Sequence, residues 1–247
     1  MKYWDGAIWK DIKAIYYWNG SSWVLVRGGC YWDGAQWVSF WAPSVIWHCD
    51  LDEDMIYELS TSDFSVVRSA SSPGASATGI GGTASVIWHC DENKDKVYEL
   101  SVSDFSVIRS AATPDSYPRG VGGDANTIWH CDYISDEVYE LSTTNFSVIR
   151  SASSPGGGPN GIGGDANTIW HCDTSTDKVY ELSPTDFSVI RSASSPSTNP
   201  FGIGGDADTI WHCDEDVRRV YELSTANFGV IRTTLGPGGF PSGIGGK

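Results

Sequence analysis

From Ser44 onward, the apolar positions of this chain fall into short runs separated by clusters of Asp, Asn, Ser, Gly and Pro. One stretch reads Gly161-Ile-Gly-Gly-Asp-Ala-Asn-Thr-Ile-Trp-His-Cys-Asp, then Lys178-Val-Tyr-Glu-Leu-Ser, then Phe187-Ser-Val-Ile-Arg-Ser-Ala. Runs this short, rich in β-branched and aromatic side chains and bounded by turn formers, predict antiparallel strands. Each stretch supplies four of them: Gly-Ile-Gly-Gly, Thr-Ile-Trp-His-Cys, Val-Tyr-Glu-Leu and Ser-Val-Ile-Arg. Alternation along the second strand sends Ile87 and His89 to one face and Trp88 and Cys90 to the other. Both faces then need covering, as they would when sheets stack on one another.

The stretch recurs with a fixed period. Trp47, Trp88, Trp129, Trp170 and Trp211 are each 41 residues apart, and each sits in the pentapeptide Ile-Trp-His-Cys-Asp. A strand-bearing period near 40 predicts a β-propeller with one blade per repeat. The first strand starts at Gly79, Gly120, Gly161, Gly202 and Gly243, so none precedes Ile46 and a spare copy ends the chain. That spare strand is expected to pair with the second strand of the first repeat, closing the ring and removing its open edges. The fold class is therefore all-β: a five-bladed β-propeller of four-stranded blades over residues 44–247, preceded by a small hairpin module over residues 1–43. In pattern the repeats resemble NHL-type and related lectin-like propellers, whose blades run Gly-Ile-Ala, Ile-Tyr-Val-Ala-Asp and Ile-x-Val-Phe. That resemblance implies a scaffold used by binding proteins, lectins and enzymes alike.

The first 43 residues follow a different period. Tyr3-Trp4-Asp5-Gly6, Tyr17-Trp18-Asn19-Gly20 and Tyr31-Trp32-Asp33-Gly34 are 14 apart, each followed by a second Trp at 9, 23 or 37. Asp-Gly and Asn-Gly tolerate positive φ and favour tight hairpins, across which Trp4 and Trp9, Trp18 and Trp23, and Trp32 and Trp37 would pair. Such Trp-[Asp/Asn]-Gly-x-x-Trp hairpins resemble modules of phage tail-fibre and tail-associated proteins. The resemblance implies attachment or oligomerisation; a packing patch against the propeller is the other reading, since so much Trp is costly to expose.

Charge narrows the partners. The chain carries a net charge of −15, while residues 1–43 balance Lys2, Lys10, Lys13 and Arg27 against Asp5, Asp11 and Asp33. The acidic propeller disfavours nucleic acid and anionic membranes and leaves room for cations or neutral ligands such as sugars. No apolar run reaches membrane-spanning length and the N-terminus does not read as a signal peptide, so synthesis in a cytoplasm is expected, with release by lysis as the route outward. Cys49, Cys90, Cys131, Cys172 and Cys213 are expected as buried free thiols, and Cys30 is the odd one out.

Candidate chemistry is sparse. Adjacent His and Cys on a strand point to opposite faces, which argues against a metal, and no cofactor motif is present. One polar network per blade is expected instead: His48/Glu58/Arg68, His89/Glu99/Arg109, His130/Glu140/Arg150, His171/Glu181/Arg191 and His212/Glu222/Arg232. With strands so alike, no unique catalytic set emerges, and the expectation is no enzyme and no catalytic residue. The interblade loops and the loops after the second strand do vary, and both classes fall on one face. They mark either a recognition surface or loops free to drift. Tyr117, Arg119, Tyr133, Phe201 and Phe240 are the residues there suited to ligand contact. The functional expectation is a binding or attachment protein recognising a glycan or surface receptor, with residues 1–43 joining it to an assembly, as a phage virion component or a homo-oligomer. A purely structural, assembly-forming protein and a cytoplasmic interaction scaffold are the alternatives.

Overall fold

A computed structural model describes residues 45–246 in full and, before them, the backbones of six short strands. The chain divides into two compact units, Met1–Ser44 and Val45–Lys247. In the first, Lys2–Trp4 pairs with Trp9–Asp11, Tyr16–Trp18 with Trp23–Leu25, and Gly29–Trp32 with Trp37–Trp41, all antiparallel. The register sets Trp4 opposite Trp9, Trp18 opposite Trp23 and Trp32 opposite Trp37. The side chains of these tryptophans and of Cys30 lie outside the described residues.

The second unit is a five-bladed propeller of four-stranded antiparallel sheets. The first blade contains Ala77–Gly82, Ile87–Asp91, Lys96–Leu100 and Val107–Ala112, and three more follow in chain order. The closing blade combines the C-terminal strand Pro241–Gly245 with Val45–Asp50, Met55–Ser60 and Val66–Ser71. Ile244 lies opposite His48 there, as Ile80 lies opposite His89 in the first blade.

Blades adhere through interlocking apolar faces. Trp47, Cys49 and Ile56 of one blade pack against Ile80, Ile87, Tyr98 and Leu100 of the next, and equivalent clusters recur around the ring. Phe105 meets Trp47 edge-on at 5.8 Å, and Phe64, Phe146, Phe187 and Phe228 repeat the contact at the other interfaces. These five phenylalanines sit at φ of 59° to 63°, a conformation bulky residues avoid. Their burial against tryptophan, with an arginine guanidinium 4.1–4.6 Å above each ring, holds them there.

The expected His–Glu–Arg network divides into two parts. Glu58, Glu99, Glu140, Glu181 and Glu222 stand opposite the tryptophans and opposite Arg68, Arg109, Arg150, Arg191 and Arg232, with which they form ion pairs. Each arginine also donates to two turn carbonyls of the neighbouring blade, as Arg109 does to Thr143 and Thr144. The histidines do not join them. His89 faces Tyr98, so it lies on the other side of the sheet from Glu99, and the same holds for His48, His130, His171 and His212. A one-residue difference in pairing changes the face of every side chain, and the correct register separates the two sets.

The histidines have their own partners. Nδ1 of His89, His130, His171 and His212 lies 2.8 Å from an innermost-strand carbonyl, and each ring leans on its tyrosine. Nε2 of His89, His171 and His212 meets the hydroxyl of Ser72, Ser154 or Ser195 at 2.9–3.1 Å. Thr113 and Gly236 occupy the same position beside His130 and His48; the Thr113 hydroxyl donates instead to the Asp115 carbonyl, and the glycine has none. The Gly243 carbonyl still favours protonation of His48, yet neither of its ring nitrogens completes a hydrogen bond. Burial pulls all five rings down to a pKa of about 4, so they are neutral at neutral pH. Burial also pushes the five repeat thiols up, and all are free.

Candidate ligand site at the axial mouth

Every innermost strand contains a β-bulge at one place. In the first blade Ala77 pairs with Asp91 and Gly79 with Cys90, so Thr78 is the extra residue. The equivalents are Arg119, Asn160, Phe201 and Ser242. A bulge frees a residue from the ladder and re-aims its side chain. The repeat thus places five unlike residues around the axis, at the end of the strand where the variable loops emerge.

Two of the five are occupied by the scaffold. The Thr78 hydroxyl donates to the Pro118 carbonyl at 2.7 Å, and the Ser242 hydroxyl to the Ala77 carbonyl at 2.6 Å. Phe201 is buried and meets the Phe240 ring edge-on at 5.4 Å. Arg119 extends its guanidinium 5.3 Å from the Phe201 ring and 5.6 Å from the Tyr133 ring, and its Nη1 forms an ion pair with Glu92 Oε2 at 3.0 Å. Asn160 donates through Nδ2 to the Thr174 hydroxyl at 3.1 Å. Arg119, Asn160, Ser242 and the bordering glycines line a narrow, open depression on the axis. Burial raises the pKa of Glu92 against the pull of Arg119, and raises that of Glu215, whose carboxylate accepts from Asn199 at 2.6 Å.

Loops around this mouth take two forms, selected by one residue. Where Pro is followed by Gly, at Gly74, Gly156 and Gly238, the loop turns inward. A backbone N–H of Ser76, Gly158 or Phe240 then donates to Asp91, Asp173 or Asp50 at 2.7–2.9 Å. A Cβ on Gly74 would stand 1.8 Å from the Asp91 carboxylate, so only glycine permits this form. Asp115 and Ser197 occupy the same place in the other two loops. There Tyr117 and Asn199 adopt φ of 67° and 66°, and their N–H groups turn outward to Asp95 and Asp177. Asp132 and Asp214 are left with Oδ2 buried and unpaired, and burial raises them to about 6 and about 7.

Of the residues read from the sequence as ligand contacts, Arg119, Tyr133, Phe201 and Phe240 converge on the mouth. Tyr117 is exposed and, among the described residues, makes no ring contact with the other four. Sequence reasoning passed over Thr78, Asn160 and Ser242. Their signal was present: the residue before each first-strand glycine is the one strand position that differs in all five repeats. Among the described residues no group of His, Cys, Asp and Glu is arranged to hold a metal ion. Among the described residues no helix is long and apolar enough to cross a membrane.

No family model matches this chain, and no curated protein matches it in sequence. Solved structures are similar to it in fold. A chain of a nidogen/laminin complex aligns at TM-score 0.57 and 14% identity, covering 82% of this chain and 97% of its own. The glutaminyl cyclase of Myxococcus xanthus aligns at TM-score 0.53 and 11% identity, covering 68% and 69%. A streptogramin B lyase aligns at TM-score 0.50 and 17% identity, covering 86% and 78%. Identities this low show the fold alone. They do overturn the sequence expectation that the chain is no enzyme, since two of these propellers are enzymes. The blades also differ where that expectation took them to be alike, with an arginine and carboxylates among unlike residues at the mouth.

Proposed function

We propose that this protein recognises a carbohydrate through the axial mouth on its variable-loop face. The observation that carries the reading is the bulge ring, where one repeat position carries five unlike residues, beside aromatic rings and a half-buried arginine. Aromatic faces beside a few oriented polar groups suit sugars, whose rings offer C–H faces and hydroxyl edges. The acidic surface suits a neutral or receptor-borne ligand better than a polyanion. The Trp-[Asp/Asn]-Gly-x-x-Trp repeats support a role for residues 1–43 in joining the propeller to a larger assembly, in the manner of a phage virion protein released by lysis. A glycan-array screen of the intact chain, with Tyr133→Ala alongside, tests the reading. Specific binding weakened by the substitution supports it, and an array without specific binding refutes it.

Catalysis at the same mouth is a second reading, favoured by the raised carboxyls of Glu92 and Glu215 beside Arg119. Turnover of a bound glycan that is lost in Glu215→Gln, with binding retained, would distinguish it.

A further inference from the structure

We infer that the mouth selects one hydroxyl-bearing edge of a neutral sugar, received between Arg119 Nε as donor and Asn160 Oδ1 as acceptor. This rests on the carbohydrate reading of the mouth and adds the ligand's charge class and the two atoms that read it.

The orientation of the Asn160 amide follows from its neighbour. Thr174 Oγ1 donates its single proton to the Gly158 carbonyl at 3.2 Å, so toward Asn160 it accepts, and the atom it meets at 3.1 Å is Nδ2. Oδ1 is therefore the other atom. It has no partner, in a residue 3% exposed that lines the depression. Arg119 is its counterpart one blade earlier. Its Nη1 is ion-paired with Glu92 and its guanidinium carbon lies near the rings of Tyr133 and Phe201, while Nε is buried without an acceptor. The Gly120 and Gly161 backbones that follow these residues are in close contact, so the two side chains leave adjacent strands at one level. Thr78 and Ser242 have already given their protons to carbonyls. Among the buried side-chain atoms of the ring, those left without a partner are thus one donor, Arg119 Nε, and one acceptor, Asn160 Oδ1, on adjacent strands.

Buried groups left unpaired are costly, and a ligand that completes both recovers that cost. A hydroxyl accepts and donates at once, and adjacent sugar hydroxyls do so with a choice of spacing. A carboxylate only accepts, leaving Oδ1 unmet, and it would enter beside Glu92 and Glu215. An ammonium only donates and leaves Nε unmet. Tyr133 is 39% exposed and offers its ring to the face of the same sugar.

The test is calorimetric titration of the full chain with methyl glycosides of glucose, galactose, mannose and N-acetylglucosamine, beside glucuronic and N-acetylneuraminic acids. The expected result is binding of a neutral glycoside, with affinity about 10-fold or more lower in Asn160→Ala and in Arg119→Lys, which keeps the charge but removes Nε. Either variant suffices if the other fails to fold, as judged by its melting transition. Preference for the acidic sugars, or neutral-sugar affinity unchanged in a folded variant, overturns this inference and leaves the carbohydrate reading standing. Binding of no sugar here and none on the array overturns both.

Discussion

Replacing Gly236 by serine should stabilise the propeller. Gly236 stands where Ser72, Ser154 and Ser195 bind the histidine of the following blade, and its backbone N–H bonds to Arg218 as theirs do to Asp54, Asp136 and Asp177. A Cβ there would meet nothing closer than 3.6 Å, and the backbone is outside the left-handed region. The new hydroxyl would face His48, both of whose ring nitrogens are buried and unpaired. One such bond contributes about 0.5–1.5 kcal/mol net. Removing a glycine from the unfolded ensemble adds about 0.4–1 kcal/mol. A combined gain of about 1–2.5 kcal/mol would raise Tm by roughly 2–10 °C for a domain of this size. Gly236→Ala isolates the backbone part. Differential scanning calorimetry at pH 7 should rank serine above alanine above glycine, and serine no better than alanine would refute the hydrogen-bond reasoning.

Acid should destabilise the fold through the five histidines. Their folded pKa of about 4 lies below the ordinary 6.5, so the stability they confer is complete above pH 6.5 and is lost as pH falls toward 4. Asp132 and Asp214 act oppositely, since their raised values favour the folded state at low pH and lose that contribution as pH rises from about 4 through about 6 and about 7. Asp50, Asp91, Glu92 and Glu215 are raised as well and act with these two, so the histidines are best read directly: NMR of the folded chain should show all five rings neutral at pH 5, and a ring protonated there would contradict the assignment. Gly156→Ser should expel its loop from Asp173 and cost about 1–3 kcal/mol, with faster amide exchange at Gly158; unchanged exchange would count against the glycine rule. Arg150→Lys should cost about 2 kcal/mol in urea unfolding, because lysine cannot serve Glu140 and the carbonyls of Pro184 and Thr185 together; an unaltered midpoint would show that the clamp contributes little.

The strands and the ring closure were legible because period and alternation act over the whole chain, as the pairing of Gly243 with Cys49 shows. Side-chain partnerships were less so. His89 and Glu99 were assigned to one network although a one-residue register difference puts them on opposite faces, and turn geometry within the blade sets that register. Arg119 could be singled out by its type, whereas Asn160 could not. Variation across the five repeats marks its position, but its role comes from a bulge that frees it from the ladder and from the Thr174 hydroxyl that orients its amide, which a single repeat does not show. The two loop forms were encoded in Gly74 against Asp115, but reading them required the position of a carboxylate on the neighbouring strand, 17 residues later for Gly74 and Gly156 and at Asp50 for Gly238.

The closing blade also sets when the molecule can be finished. Its strand Pro241–Gly245 joins Val45–Asp50 across almost the full length of the propeller, with Ser242 bonded to Cys49 at a separation of 193 residues. Four blades can form hairpin by hairpin as the chain emerges from the ribosome, whereas Val45–Asp50 waits with one edge bare until Pro241–Gly245 has been made. During that interval any free Gly-Ile-Gly-Gly segment, including one from a neighbouring nascent chain, is a competent partner. Closure by a distant strand thus creates a vulnerable moment in biogenesis, and a rearranged propeller in which Pro241–Gly245 leads directly into Val45–Asp50, with the ring opened at an interblade loop, would remove it.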